Sequence, residues 1–375
     1  MFLMNKRTIS VMKTLLLPVL FLFAFSAAFA NENEAGNAEK KDKFNAGELI
    51  IEHVTDAHEW HIAGHVAIPL PVILYSSEKG LTTFSYSKFE EAEKEGKESV
   101  EGYELDKDHH IVSVEGSKFY DLSITKNVMT IFFTVIIMLW MFLSVAKRYA
   151  THKGKAPKGL QNALEMIIVF VRDDVAKVSI GEKKYMKYMP FLLTVFFFIW
   201  IGNMLGLIPF FPGGANLTGN IAVTMTLAVI TFVITMASSK KYYWEHVLWM
   251  PGVPVLVKVL ILTPIEILGV FLKPFVLMIR LFANILAGHI VALSFFSLIF
   301  IFGEMNAGVG YGVSIFSWAF TVFMFMLELL VAFLQAYVFT LLSAIYFGAA
   351  LEEHHNHEHP PHAAVHEHIE EAAIV

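Results

Sequence analysis

The chain has 375 residues, 56% of them hydrophobic and 17% charged, with 34 phenylalanines and 17 methionines, a balance that excludes an ordinary soluble protein and marks an integral membrane protein. Zero cysteines exclude disulfides, thiolate metal sites and cysteine nucleophiles. The net charge of -6 averages over compartments, and no basic groove or stacking motif points to nucleic acid.

Residues 1–30 carry Lys6, Arg7 and Lys13, then an apolar run over 15–25, then Ala28-Phe29-Ala30. This is the pattern of a secretory signal peptide, so Asn31 is expected to begin the mature chain. A retained first span is the alternative, disfavoured because the run is short and ends in small residues. Residues 31–125 are polar and read as an extracytoplasmic, periplasmic domain, with 31–45 disordered. Short apolar and alternating patterns over 65–75 and 81–89, on either side of Ser76-Ser77-Glu78-Lys79-Gly80, predict a hairpin, and 110–114 a further strand. His58, His61 and His65 have helical i, i+3, i+7 spacing, with His53 nearby. The segment lacks the HExxH metalloprotease pattern, so polar packing is the preferred reading and no metal site is assigned.

The first mature span is expected over 128–146, followed by Lys147, Arg148, Lys153, Lys155 and Lys158, a cluster that is cytoplasmic under the positive-inside rule. Leu164, Ile167, Ile168, Val171, Val175 and Val178 then recur at helical spacing among Arg172, Asp173, Asp174 and Lys177. That stripe is too charged to span and reads as an amphipathic in-plane helix. Residues 188–208 and 220–237 form a helical hairpin around a loop without lysine or arginine, and Lys240 and Lys241 come after it. Residues 253–302 stay apolar for far more than the roughly 20 residues of one crossing, which predicts one long, tilted helix bent at Pro264 or Pro274, with a re-entrant pair as the alternative. After an outer turn over 303–308, residues 315–346 make the last long helix, and 351–375 a disordered, His-rich cytoplasmic tail. The expected fold is an all-α membrane domain over 126–350, with five mature spans and an in-plane helix, behind a small β-containing domain.

Arg280 cannot shed its charge, and at mid-membrane that charge costs from roughly 3 to more than 10 kcal/mol, so it should face protein or water and have a use. At about 100° per residue, Glu266, Lys273, Arg280 and Asn284 share one narrow stripe. Along the axis Glu266 lies about 21 Å to the cytoplasmic side of Arg280, and His289 about 13 Å to the outer side and about 180° around. Glu328 and Gln335 share a face of the last helix; with Gln335 level with Arg280, Glu328 falls near His289. A carboxylate and an imidazole together can relay protons near neutral pH; a structural ion pair is the plainer reading of Glu328. A stand-alone transporter or channel is the rival function, with Arg280 binding an anion, but the two matching halves that reading favours are not visible.

Arg280-Leu281-Phe282-Ala283-Asn284 followed by Ala287-Gly288-His289, with Glu266 and Lys273-Pro274 before and Leu334-Gln335-Ala336-Tyr337 after, resembles the subunit a family of F-type ATP synthases. Residues 190–209 with Asn203, and Ala215-Asn216-Leu217-Thr218-Gly219-Asn220, are similar to that family too, so the resemblance spans 125–352. It implies a proton-translocating stator in the bacterial inner membrane that wraps the c-ring, contacts the subunit b stalk and meets the F1 sector only indirectly. It implies two half-channels: Arg280 as the stator charge, Glu266 toward the cytoplasm, His289 and Glu328 in the outer relay, and Asn203, Lys273, Asn284 and Gln335 as polar partners. The order histidine first, carboxylate second matches mitochondrial relatives and reverses that of many bacterial ones. No cofactor is implied, and no GxxxxGK[ST] phosphate loop occurs, so nucleotide chemistry belongs to other subunits.

Overall fold

The computed structural model describes residues 47, 50 and 55–352, apart from 64–65, 96, 98, 107–109, 152–153, 209–212, 250–253 and 306. The expected leader, the polar stretch 31–45 and the tail from 353 onward lie outside the described residues.

The N-terminal part is built from short antiparallel ladders. Strand β1 (Glu59–Ala63) pairs with β2 (Val66–Pro69). Strand β3 (Pro71–Ser76) lies between β4 (Gly80–Ser85) and β7 (Phe119–Asp121), and β5 (Tyr103–Leu105) pairs with β6 (Ile111–Ser113). The expected hairpin is present, with Ser76 opposite Gly80, whose φ of +73° suits a residue without Cβ. Its second arm stops at Ser85, short of 89. A helix, α1 (Ser87–Lys94), takes over there because Lys88, Glu90, Glu91, Ala92 and Glu93 are good helix formers. The alternation of β3 turns Val72 and Leu74 inward, where Phe84, Tyr86, Phe89, Tyr103 and Ile111 close the core.

The membrane part is helical: α2 (Lys126–Thr151), α3 (Leu160–Phe170), α4 (Tyr185–Gly206), α5 (Ile221–Ser238), α6 (Lys241–Leu248), α7 (Thr263–Met305) and α8 (Ala307–Leu351). Among the described residues five stretches are long and apolar enough to cross a membrane: α2, α4, α5, Val255–Glu304 and Gly310–Leu351. Helix α4 is apolar all round and buries Leu192, Val195, Phe196, Phe197 and Ile199, so it is the post against which α2, α8 and the continuation of α3 pack, while α7 lies on α8 and α5 and adds Leu277 and Leu281 to the same core. In α5 the inward threonines return their hydroxyls to their own helix, Thr231 to the Leu227 carbonyl and Thr235 to that of Thr231, so no donor is stranded in an apolar core.

Two wide π-helical turns interrupt the regular pitch. Helix α3 continues through Val171–Lys177 into Val178–Ile180. The wider turn shifts the phase of the residues after it, which corrects the sequence-derived stripe: Val171, Val175 and Ile180 are buried but Val178 is 78% exposed. Asp173 on the polar face holds both Arg172 and Lys177 at 2.7 Å. The second π turn, Lys258–Leu262, precedes Pro264 and widens the helix where the proline ring would clash and where its missing N–H leaves a carbonyl unbonded. From there α7 runs unbroken through Pro274 for 43 residues, so the long-helix expectation holds and the re-entrant pair does not. At about 1.5 Å per residue α7 is roughly 65 Å long, twice the ~30 Å hydrocarbon core, and fits a bilayer only at a steep tilt. Helix α7 reaches Met305 and α8 begins at Ala307, so most of the expected turn over 303–308 is helical among the described residues.

Gly348 of α8 lies directly on the Ser179 carbonyl, and a Cβ there would collide with backbone. Gly348→Val should therefore separate α8 from the end of α3 and cost about 2 kcal/mol or more, read as a lowered thermal midpoint of the full chain in detergent, while Gly312→Val, which meets open space, should leave it unchanged.

Burial pushes the Asp121 carboxyl up, but the His58 imidazole 3.8 Å away and the Ser123 N–H and hydroxyl outweigh it and hold the group below its usual value. A depressed folded value means stabilisation that is present above the ordinary 3.8 and lost as pH falls through the folded value. Asp121→Asn should flatten the acid limb of the N-terminal domain's unfolding, monitored by limited proteolysis of the full chain from pH 6 downward.

Candidate functional site

Helices α7 and α8 form one long antiparallel hairpin. The contacts Gly303 with Gly310, Phe295 with Phe320, His289 with Glu328 and Lys273 with Tyr346 step in opposite directions along the two helices. That register puts Gln335 within one helical turn of the level of Arg280.

Arg280 is exposed on α7, flanked by exposed Val276, Ile279, Ala283, Asn284 and Ala287. Among the described residues it makes no hydrogen bond or ion pair; its electrostatic neighbour is the Tyr346 hydroxyl. Its charge therefore stands on an exposed face that is apolar apart from Asn284 and whose small residues leave room for another helix to approach.

Between Arg280 and the end of α7 near Met305, His289 Nδ1 lies 3.9 Å from Glu328 Oε1, with both residues turned into the protein. They line a cavity of about 170 Å³ with Asn203, Asn284, Gly288 and Leu327. Gly288 makes the approach of Glu328 possible, since a Cβ there would come within 2.9 Å of Oε1. Asn203 reaches the same cavity from α4, and its side-chain oxygen accepts a hydrogen bond from Thr218. Gln335 is buried on α8 one level further in.

On the other side of Arg280, Lys273 Nζ sits 5.8 Å from the ring centres of both Tyr243 and Tyr346, a cation held between two π faces. These residues border a second, narrow cavity of about 10 Å³ with Thr231 and Thr235, room for about one water. Burial and the charge of neighbouring Glu266 push the Tyr243 hydroxyl above its usual range, so Glu266 belongs to this cluster. The two cavities flank Arg280 along the helix. Sequence reasoning found Glu266, Lys273, His289 and Glu328 but missed Tyr243, Tyr346 and Gly288. The pair of tyrosines beside Lys241 carries the signature of an aromatic membrane belt, a signal that marks the interface and not a partner.

His58 stacks on Tyr86 with ring centres 5.6 Å apart. Strand β1 begins at Glu59, so the histidine spacing is not that of a helix; the His61 side chain, His65 and His53 lie outside the described residues. No cluster of metal-ligating side chains occurs among the described residues.

Comparison with known proteins agrees with this arrangement. The family model described as ATP synthase A chain matches residues 128–348, and one described as a domain of unknown function matches 49–131. The chain is similar to ATP synthase subunit a of Chloroherpeton thalassium, with 41% identity over 275 residues, 71% of this chain and 79% of the relative. It is 38% identical over 343 residues to ATP synthase subunit a 2 of Chlorobaculum tepidum, 87% of this chain and 79% of the relative. It is 42% identical over 258 residues to ATP synthase subunit a of Myxococcus xanthus, 64% and 78% of the two chains. The Chlorobaculum likeness covers more of the chain than the membrane part contains, so it extends into the N-terminal domain.

If Gly288 is what admits the Glu328 carboxyl group, Gly288→Val should shift its infrared band, identified by subtraction against Glu328→Gln. Gly269→Ala, on the same helix but facing open space, should leave the band in place.

Proposed function

Because the chain belongs to the ATP synthase subunit a family, and so is the proton-translocating stator subunit of a membrane sector without a catalytic centre of its own, we propose that Arg280 is its fixed charge, with one half-channel on either side. The observation that carries this reading is an arginine exposed on an apolar helix face with no ion pair among the described residues. A guanidinium cannot neutralise itself, so its partner is a carboxylate on another subunit, and the family supplies one on the rotating c-ring.

The chemistry follows from the charge. A rotor carboxyl group arriving beside Arg280 is held ionised, because a neighbouring cation lowers its pKa. It releases its proton into one half-channel before passing and collects another from the opposite side afterwards. Glu266, with Tyr243 and Lys273 around it, serves the cytoplasmic route. His289 and Glu328, which share one cavity with Asn203 and Asn284, serve the outer route. Gln335, within one helical turn of the level of Arg280, is the polar group that keeps the crossing point from being purely apolar. Arg280 repels a hydronium that would pass straight through, so flow requires rotation.

The orientation follows the positive-inside rule. Lys147 and Arg148 near the end of α2, Lys155 and Lys158 after it, and Lys240 and Lys241 after α5, face the cytoplasm. The N-terminal domain is then periplasmic behind a cleaved leader, the tail cytoplasmic, and the chain resides in the bacterial inner membrane. The exposed face of α7 and α8 meets the c-ring, the subunit b stalk holds the chain from its other side, and the F1 sector is reached only through these partners.

In inverted membrane vesicles, Arg280→Ala should leave the complex assembled and lower ATP-driven proton pumping about a hundred-fold or more. Pumping at the normal rate per assembled complex would sink the reading.

A further inference from the structure

Among the described residues, a buried side chain of the N-terminal domain reaches the loop between α4 and α5. Trp60 of β1 is 2% exposed, and its indole N–H donates to the Gly213 carbonyl at 2.8 Å across 153 residues of sequence. The indole meets the edge of Phe133 on α2, ring centres 6.2 Å apart. The chain just before β1 is tied to the same helix: the Asn127 N–H donates to Asp56 Oδ1 at 3.1 Å and the Lys126 N–H to the Ala57 carbonyl at 2.9 Å. Trp60 therefore reaches out from a platform fixed to α2.

The tryptophan grips the loop between α4 and α5, and that loop walls the outer cavity. Gly213 is folded so tightly against Leu205 and Ile208 that a Cβ would collide with both, and the Gly214 N–H donates to the Leu205 carbonyl. Next along the loop, Ala215 lies against Gly206, the residue of α4 that also borders the His289 ring. Thr218 then donates to Asn203, which lines the cavity with His289 and Glu328. A short run of backbone thus joins the tryptophan to two walls of the cavity.

We propose that Trp60 is a positioning residue for the outer proton route, and that the domain matched as one of unknown function is a brace that sets the width of that route from outside the bilayer. The inference rests on the outer half-channel assigned above. Without the indole N–H, the buried Gly213 carbonyl has lost its donor and the loop relaxes away from Asn203 and His289.

The test is Trp60→Phe, which keeps an aromatic ring beside Phe133 and removes the donor together with the second ring of the indole. ATP-driven pumping and its dependence on the pH of the outer compartment are measured per assembled complex. The expected result is a pumping rate about five-fold lower, the effect of one lost buried hydrogen bond, with a displaced outer-pH profile and an unchanged inner-pH profile. Trp60→His, which retains a ring N–H, should recover part of the rate. A merely structural tryptophan would lower the amount of complex and leave both profiles per complex as they were, and that outcome overturns the proposal. Should Trp60→Phe not accumulate, Phe133→Leu loosens the seat of the indole and must displace the outer profile in assembled complex; a normal profile overturns the proposal equally. Arg280→Ala in parallel keeps the two ideas apart. If it still pumps, the stator reading falls; if it is silent while Trp60→Phe behaves as wild type, only the brace falls.

Discussion

A permanent positive charge on the lipid-level face of a helix is the constraint around which the rest of this molecule is arranged. Arg280 has no ion pair among the described residues, yet its neighbours Val276, Ile279 and Ala283 offer no polar shelter. Carrying it on a segment that must also stay in the membrane demands a long apolar helix on both sides, and α7 supplies 43 residues of it. The helix needs a rigid backing so that the charge keeps its direction. Leu277 and Leu281, both about 1% exposed, turn the opposite face of α7 into the core that α4 organises.

The same helix has to present titratable groups without letting them reach the guanidinium. About nine residues separate His289 from Arg280, which turns the imidazole to the opposite side of α7. There Gly288 lets Glu328 come close from α8. The contacts along the α7–α8 hairpin lock this register: a slip of one residue would swing Glu328 by about 100° and take it out of reach of His289. Close contact between Gly303 and Gly310 near the turn pins the hairpin at that end, and Lys273 between its tyrosines pins it at the other.

The parts of this design that depend on one chain segment at a time are legible in the amino-acid sequence. Long apolar runs mark the five crossings, and the count of residues per turn yields the stripe through Glu266, Lys273, Arg280 and Asn284 and the level shared by His289 and Glu328. The parts that depend on two distant segments, or on a local change of pitch, are not. Val178 belongs to the buried stripe of a regular helix and leaves it here because a π turn adds width that a regular period does not contain. The Tyr243 and Tyr346 cage around Lys273 joins three separate helices, and nothing in the spacing of either tyrosine announces it. The bond from Trp60 to Gly213 involves a main-chain carbonyl, which no sequence pattern marks. Helix α1 replaces the last part of a strand because local propensity there outweighs a weak alternation.

The outer loop also shows why such contacts would be made by neutral groups. Residues 207–220 contain no charged side chain, and the linkage from Trp60 to Asn203 uses an indole N–H, backbone amides, a hydroxyl and a carboxamide. A lysine or aspartate in that position would act at a distance on the pair beneath it, because charges interact strongly where the surroundings are poorly polarisable. Neutral hydrogen bonds are short-ranged and directional, so they can fix the position of a wall while leaving the field at His289 and Glu328 to those two residues and to Arg280. Under the proposal that this cavity carries protons, the N-terminal domain would adjust its geometry without adding a charge of its own to it.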